Sequence, residues 1–304
     1  MIIKDEVSKV EENRTEKLAE LSAILRNSSI INKNLQITVE NNSVARRIFT
    51  LFKDIYDIIP VITVRRRSGL NNNLIYILTI NNNYKEILRD LSIIDSNNYL
   101  LQVPHNYIIA DDDDIRAYLR GVFMTSGSVN DPKTSRYHLE IVVDSVEYAT
   151  FINNILNNFN LNSKIIRREK NYMIYIKEAE KISDFLRIIK AYSGVMYFED
   201  IRIYRDHKNM TNRLNNCEQA NMDKIFLTAN KQLKDIKIIE DNGLMEMLDS
   251  KLREAVSYRT KYPESSLAEL ADIMSKELGY SISKSGLNHR FRKLRNLAEQ
   301  INNN

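Results

Sequence analysis

One order of apolar periods occurs twice in this chain, at a spacing of roughly a hundred residues. That repetition restricts the fold more than any other feature of the sequence. In the first copy, residues 15–26 read as a helix and Leu35–Val39 as a strand. Val44, Ile48, Leu51, Phe52 and Ile55 then recur at helical spacing. Two strands, Val61–Arg66 and Leu74–Ile80, lead to a short helix over residues 84–91. In the second copy, residues 115–124 read as the first helix and Leu139–Val143 as the first strand. Residues 148–159 follow as a helix with Phe151, Ile152, Ile155 and Leu156 on its buried side. Lys164–Arg168 and residues 172–176 are strands, and residues 182–191 close the copy as a helix. Corresponding pieces look alike: Leu35-Gln36-Ile37-Thr38-Val39 lies against Leu139-Glu140-Ile141-Val142-Val143, and Ala45 against Ala149. The expected fold is therefore α+β, with a duplicated α/β domain whose halves span residues 1–98 and 99–197.

After Tyr197 the pattern breaks. Residues 200–220 are polar, rich in Asn and Arg, and without a clear period. They read as a linker, or as a strand followed by a turn, and the domain plan assigns 198–221 to a linker. From Asn221 onward the chain reads as all helix. One turn is expected at Tyr262 and Pro263 and another around Gly279 and Tyr280. Residues 222–304 are thus expected to form an all-α domain.

Composition removes several classes of function. Cys217 is the only cysteine, so an intrachain disulfide and a zinc site of four thiolates are both excluded. The histidines His105, His138, His207 and His289 are scattered without ligand spacing. Glycine-rich phosphate loops are absent, and no serine or cysteine nucleophile stands in a motif. No cofactor and no metal are expected. Residues 1–17 are charged and lack the apolar core of a signal peptide. No apolar run approaches the ~20 residues that span a bilayer. These features predict a cytoplasmic protein with no membrane partner. The net charge is only +4, too mild to argue for nucleic acid, so the distribution of charge has to carry that case.

The tail supplies that distribution. Ser266-Leu267-Ala268-Glu269 fits a capping box, with Leu267, Leu270, Ala271 and Met274 on one apolar face behind it. After the turn, Ser283 can cap a second helix starting near Lys284. Its apolar stripe is Leu287, Phe291, Leu294, Ala298 and Ile301. At ~100° per residue, Ser285, Asn288, His289, Arg292, Lys293 and Asn296 point the other way. Arg290 and Arg295 flank the stripe. The stretch from Ser281 to Arg295 holds five basic residues and no acidic one. Amides, hydroxyls and guanidinium groups near the helix start suit base edges in a major groove, and flanking cations suit phosphates. The expected partner is double-stranded DNA, with Ser283, Lys284, Ser285, Asn288, His289, Arg290, Arg292, Lys293 and Arg295 as contact residues. The plainer alternative is a solvated basic face on a terminal helix.

Leu119-Arg120-Gly121-Val122-Phe123-Met124-Thr125-Ser126-Gly127 resembles the helix motif of LAGLIDADG homing endonucleases. The resemblance implies two such helices packed at a pseudo-twofold interface, with Gly121 permitting close approach. It also implies a metal-holding acid just before the final glycine, where this chain has Ser126. A weaker copy, Leu21-Ser22-Ala23-Ile24-Leu25-Arg26-Asn27-Ser28-Ser29, has Ser28 at that position. Met124 and Arg26 occupy the other acidic position. Hard divalent cations need carboxylate oxygens, so the likeness argues for the fold and against cleavage. An active homing endonuclease or intron maturase is the alternative, and it requires acids where Ser28 and Ser126 stand. Asp111–Asp114 reads as acid at a helix N-terminus. Arg65–Arg67 and Arg167–Lys170 sit at matching strand ends, as a remnant nucleic-acid surface or as solvated ends.

A degenerate LAGLIDADG pair followed by a helix-turn-helix is similar to the WhiA family of bacterial regulators. The strings that carry the likeness include Asn212-Arg213-Leu214-Asn215-Asn216-Cys217-Glu218-Gln219-Ala220-Asn221 and Ser283-Lys284-Ser285-Gly286-Leu287-Asn288-His289-Arg290. Earlier ones are Ala117-Tyr118-Leu119-Arg120-Gly121-Val122-Phe123 and Gly127-Ser128-Val129-Asn130-Asp131-Pro132. The resemblance implies a non-enzymatic, sequence-specific DNA-binding protein associated with the nucleoid. It implies a role in cell division and chromosome segregation, in transcription regulation, or in both. The LAGLIDADG-like domain could also serve as a docking scaffold for a protein partner. The oligomeric state is left open.

Overall fold

Two helices, α2 (Arg14–Ser28) and α5 (Asp112–Ser126), pack so closely that one of them has no room for a side chain. A Cβ added at Gly121 on α5 would lie 2.4 Å from the carbonyl oxygen of Glu20 and 2.9 Å from the Cβ of Ala23, both on α2. The contact therefore pairs the third residues of the two nine-residue motifs found in the sequence.

The computed structural model describes residues 2–31, 34–66 and 74–302. The chain divides into two units, Met1–Arg205 and Asp206–Asn304.

In the first unit, a short helix α1 (Ile2–Val7) precedes α2. Each central helix then feeds a four-stranded antiparallel sheet. The first comprises β1 (Ser29–Ile31), β2 (Leu35–Val39), β3 (Val61–Arg66) and β4 (Leu74–Ile80), in the order β1-β2-β4-β3. The second comprises β5 (Gly127–Val129), β6 (Leu139–Val143), β7 (Lys164–Arg168) and β8 (Asn171–Ile176), in the order β5-β6-β8-β7. The registers match: Leu35 pairs with Ile80 and Val39 with Tyr76, as Leu139 pairs with Ile176 and Val143 with Tyr172. Between the second and third strand of each sheet runs one helix, α3 (Asn42–Tyr56) or α6 (Val146–Asn158). Both helices begin on a side-chain cap. Asn41 Oδ1 accepts from the Val44 N–H at 3.0 Å, and Ser145 Oγ accepts from the Tyr148 N–H at 3.1 Å. Helices α4 (Tyr84–Asp90) and α7 (Ala179–Ile188) close the halves. The duplication expected from the apolar periods is therefore the topology of this unit. The short strands β1 and β5 and helix α1 were not anticipated. Each is too brief to show a period.

Charge is buried at the heart of this unit. Arg120 and Glu20 are fully buried. Arg120 Nε donates to Glu20 Oε2 at 3.0 Å, and Arg47 Nε donates to Glu20 Oε1 at 2.6 Å. Both guanidinium groups also donate to Glu12. Burial, followed by the neighbouring Glu20 carboxylate, pushes the Glu12 carboxyl up to about 7 against the pull of the two arginines. Lys190 reaches Glu16 at 3.4 Å on the rim of the cluster.

The stretch 198–221, expected as a linker or as a strand and turn, is helical throughout. It belongs to α8 (Tyr192–Asp241), a helix of 50 residues. No Gly or Pro occurs between Val195 and Asp241, so nothing in the sequence interrupts the backbone ladder. Most of 203–228 is exposed, and a helix wet on all sides shows no apolar period to read.

The second unit packs the end of α8 against α9 (Ser250–Lys261), α10 (Leu267–Leu278) and α11 (Lys284–Asn302). A break at 242–249, missed in the sequence, separates α8 from α9; Gly243 takes φ +70° there. The turns at Tyr262–Pro263 and Gly279–Tyr280 fall between helices as expected. Ile236, Ile239, Ala255, Val256, Leu270, Met274, Leu287, Phe291 and Leu294 form the core.

Substituting Gly121→Ala should destabilise the first unit by about 3 kcal/mol, because the added carbon meets a backbone oxygen that cannot rotate away. Arg120→Met should lower stability by roughly 3–5 kcal/mol, since the buried Glu12 and Glu20 are left sharing Arg47 alone. Urea unfolding followed by circular dichroism reads both. A loss below about 1 kcal/mol for Gly121→Ala would mean that the helices do not approach this closely.

Candidate nucleic-acid interface

Helix α10 starts on the capping box read from the sequence. Ser266 Oγ accepts from the Glu269 N–H at 3.2 Å, and Glu269 Oε2 accepts from the Ser266 N–H at 2.8 Å. The helix stops at Gly279, whose φ of +75° is the left-handed conformation that glycine adopts without strain. Ser275 then pins the turn: its Oγ accepts from the Ile282 N–H at 2.8 Å, and Ile282 is buried.

Helix α11 begins at Ser283, whose Oγ accepts from the Gly286 N–H at 3.0 Å. Leu287, Phe291, Leu294 and Ala298 are buried, and Ile301 is half-buried. Their burial aims the opposite face outward. Ser283, Lys284, Ser285, Asn288, His289, Arg292, Lys293 and Arg295 are all exposed. Arg292 Nη2 donates to His289 Nδ1 at 3.1 Å, which ties two of these side chains together one turn apart. Among the described residues, Lys284, Arg292 and Lys293 form no ion pair. The outward ridge is therefore cationic and unneutralised.

Two of the nine expected contact residues pair with an acid of the same unit. Arg290 is half-buried, and its Nη1 donates to Glu254 Oε2 and to the Lys251 carbonyl, both at 3.2 Å. Tyr280 OH donates to the same Glu254 oxygen at 2.5 Å. Arg290 thus fastens α11 to α9 and to the turn, and the acid it needs lies 36 residues earlier in the chain. Arg295 Nε donates to Glu299 Oε1 at 2.8 Å, one turn along the same helix. That pair is well exposed and weak, so Arg295 stays available, unlike Arg290.

Sequence reasoning missed Arg259. It follows Leu252, Ala255 and Val256 at helical spacing, so the apolar stripe of α9 continues into an arginine. It is almost fully buried. Its Nη1 donates to the carbonyls of Ser265 at 2.6 Å and Tyr262 at 3.3 Å, and its guanidinium lies 5.5 Å from the Phe291 ring centre. The interrupted stripe was the signal that could have found it.

The two motif-end serines lie in the first unit. Ser28 Oγ donates to the Ile24 carbonyl at 2.6 Å, and Ser126 Oγ donates to the Val122 carbonyl at 3.0 Å. Met124 is buried, and Arg26 donates to the Leu101 and Ser92 carbonyls. Among the described residues, no three His, Cys, Asp or Glu side chains are grouped to hold a metal ion. Arg65, Arg66 and Arg167–Lys170 are exposed at their strand ends, and Arg67 lies outside the described residues. Among the described residues, no helix is long and apolar enough to cross a membrane.

Three family models match successive parts of the chain. Residues 14–94 match the WhiA N-terminal LAGLIDADG-like domain, 115–208 the WhiA LAGLIDADG-like domain, and 211–298 the WhiA C-terminal HTH domain. Curated relatives from Staphylococcus aureus strains JH9 and NCTC 8325 are each described as "Probable cell division protein WhiA". Each is 41% identical over 306 residues, covering 99% of this chain and 96% of the relative. Among solved structures, full-length DUF199/WhiA from Thermotoga maritima aligns with a TM-score of 0.58 at 23% identity. That alignment covers 98% of this chain and 96% of the other, and supports the fold alone.

The division of labour on α11 is measurable. Arg290→Ala should lower the stability of the second unit by about 1–3 kcal/mol, because the half-buried Glu254 loses its cationic partner and keeps only the Tyr280 hydroxyl. Arg292→Ala should leave it within roughly 0.5 kcal/mol. Thermal melts of the full chain compare the two, and equal losses would show that Arg290 is not the internal strut.

Proposed function

The chain belongs to the WhiA family, and we propose that it is a duplex-DNA-binding regulator that does not cut DNA. The observation that carries the reading is the outward face of α11. Lys284, Ser285, Asn288, His289, Arg292 and Lys293 form a ridge that the rest of the unit leaves uncovered. In a helix-turn-helix the second helix enters the major groove, and its first turns meet base edges. Here those turns carry Ser285, Asn288 and His289, which can donate to and accept from bases. Lys284, Arg292 and Lys293 are placed for phosphates, with Arg295 one turn further. Arg290 is withdrawn from the contact set. Affinity then comes mainly from counterion release, and register from the polar groups.

The LAGLIDADG-like halves are scaffold on this reading. A nuclease of this architecture would need carboxylates to hold its divalent ions and offset phosphodiester charge. Serine hydroxyls are poor substitutes, and those of Ser28 and Ser126 are already donated to carbonyls of their own helices. We assign the protein to the bacterial nucleoid. Its relatives' description as probable cell division proteins supports a role in cell division, and we extend the proposal to chromosome segregation or transcription regulation through DNA binding.

Arg292→Glu with Lys293→Glu should abolish measurable binding of a labelled mixed-sequence duplex at moderate salt. Each charge neutralised singly, as Arg292→Gln or Lys293→Gln, should reduce the slope of log affinity against log salt by about 1. Unchanged affinity and slope in the double variant would overturn the assignment of α11. Incubation of the wild-type chain with magnesium and supercoiled plasmid should leave the plasmid intact. A site-specific double-strand cut would refute the non-catalytic reading.

A further inference from the structure

A cavity of about 350 Å³ opens where α8, α9, α10 and the start of α11 meet. Its walls include Lys224 of α8, Arg259 of α9, Ser265–Ala268 at the start of α10, and Lys284 of α11. Three features of its lining favour an anion. The first is the start of α10, a helix of 12 residues. Its capping box uses the N–H groups of Ser266 and Glu269, while those of Leu267 and Ala268 have no partner within the helix. The positive end of the helix dipole adds to them. The second is a pair of exposed ammonium groups, Lys224 and Lys284, that belong to different helices and form no ion pair among the described residues. The third is Arg259 itself. Its Nε has no hydrogen-bond partner although it is buried. Among the described residues no carboxylate balances its charge. Burial holds the guanidinium below its ordinary pKa with no offsetting partner. A buried cation is normally paired, and this unpaired one is among the residues that line the cavity.

We propose that this cavity is an oxyanion site that takes one backbone phosphate of the bound duplex. The inference rests on the DNA-binding function proposed above and deepens it. It extends the contact surface beyond the outward face of α11 to a residue of α8, and it makes Arg259 an electrostatic reserve that the phosphate completes. A phosphate held between the N-termini of α10 and α11 fixes how far the recognition helix enters the groove. Base contacts alone do not fix that depth. The Glu269 carboxylate sits at the same helix end and opposes the site. Its charge is engaged by the Ser266 N–H, which holds it below the usual carboxylate range.

The test uses the full chain and Lys224→Gln, an exposed change that leaves the fold intact. Lys276→Gln is the control, because Lys276 is also exposed and already paired with Asp272. With a labelled mixed-sequence duplex, Lys224→Gln should weaken binding about 5-fold and reduce the salt slope by about 1, while Lys276→Gln changes neither. Sodium phosphate, compared with sodium chloride at equal ionic strength, should raise the melting temperature of the wild type more than that of Lys224→Gln. If wild type binds duplex and Lys224→Gln matches it in slope and affinity, the backbone-phosphate assignment is wrong while the α11 reading stands. A phosphate-dependent melting shift without a slope change would reassign the cavity to a free anion and overturn the proposal. If wild type binds no duplex at all, the proposed function fails and this site falls with it.

Discussion

Glu20 holds the first unit together twice over. Its backbone oxygen occupies the space where a side chain at position 121 would be, and its carboxylate receives Arg120 and Arg47. Arg120 and Gly121 are consecutive, so one residue of α2 meets the two residues of α5 that set distance and charge. A buried ion cluster adds little net stability over well-packed apolar groups, yet a partner left alone is strongly penalised. Such a cluster therefore discriminates between registers. Sliding either helix by one turn would strand a guanidinium or a carboxylate in the core. The two sheets hang from these helices through β1 and β5, which follow their last residues directly. Their positions are consequences of that one contact.

Much of the fold was legible because each half is built from elements with clean periods. β2, β3, β4, β6 and β7 fall where the apolar alternation put them, and α2, α3, α5 and α6 within a few residues of their reading. What escaped lacked a pattern. β1 and β5 are three residues each, shorter than any alternation. The polar stretch of α8 carries Asn212, Asn215 and Asn216 on an exposed helix, and poor intrinsic helix formers hid its conformation. Absence of Gly and Pro would have been the better guide there than absence of a period.

The candidate interface was legible as a face and illegible as a set of partners. Helical geometry from Leu287 through Phe291 and Leu294 to Ala298 places Asn288, His289, Arg292 and Lys293 outward without further information. The fate of Arg290 could not be read, because it depends on Glu254 and Tyr280, which reach it only through the packing of α9 and the turn. Arg290 lies next to the apolar stripe, and a flanking arginine can turn either way. A carboxylate within 4 Å decided it. Arg259 escaped for the opposite reason: its charge suggested the surface, while its spacing after Leu252, Ala255 and Val256 put it inside.

The arginines of the second unit thus fall into two groups with different physical roles. Arg259 Nη1 and Arg290 Nη1 donate to carbonyls and one carboxylate within the unit, bracing α9, the α9–α10 loop and α11. Planar guanidinium groups suit this because several donors can be satisfied from a fixed geometry. Lys293, and Arg292 apart from the one donor it gives to His289, keep their donors for solvent on a helix that the first group has already fixed. Binding a polyanion with a prearranged ridge requires ordering of the side chains only, not of the helices beneath them. On the proposed function, the internal cations contribute to recognition without touching bases, by fixing the angle at which the outer ones are presented. In the first unit the analogous charged residues, Arg47 and Arg120, are neutralised by Glu12 and Glu20. The first unit also exposes Arg65, Arg66 and Arg167–Lys170 at strand ends, so the proposed DNA contact on α11 rests on its continuous helical ridge and not on a lack of surface cations elsewhere.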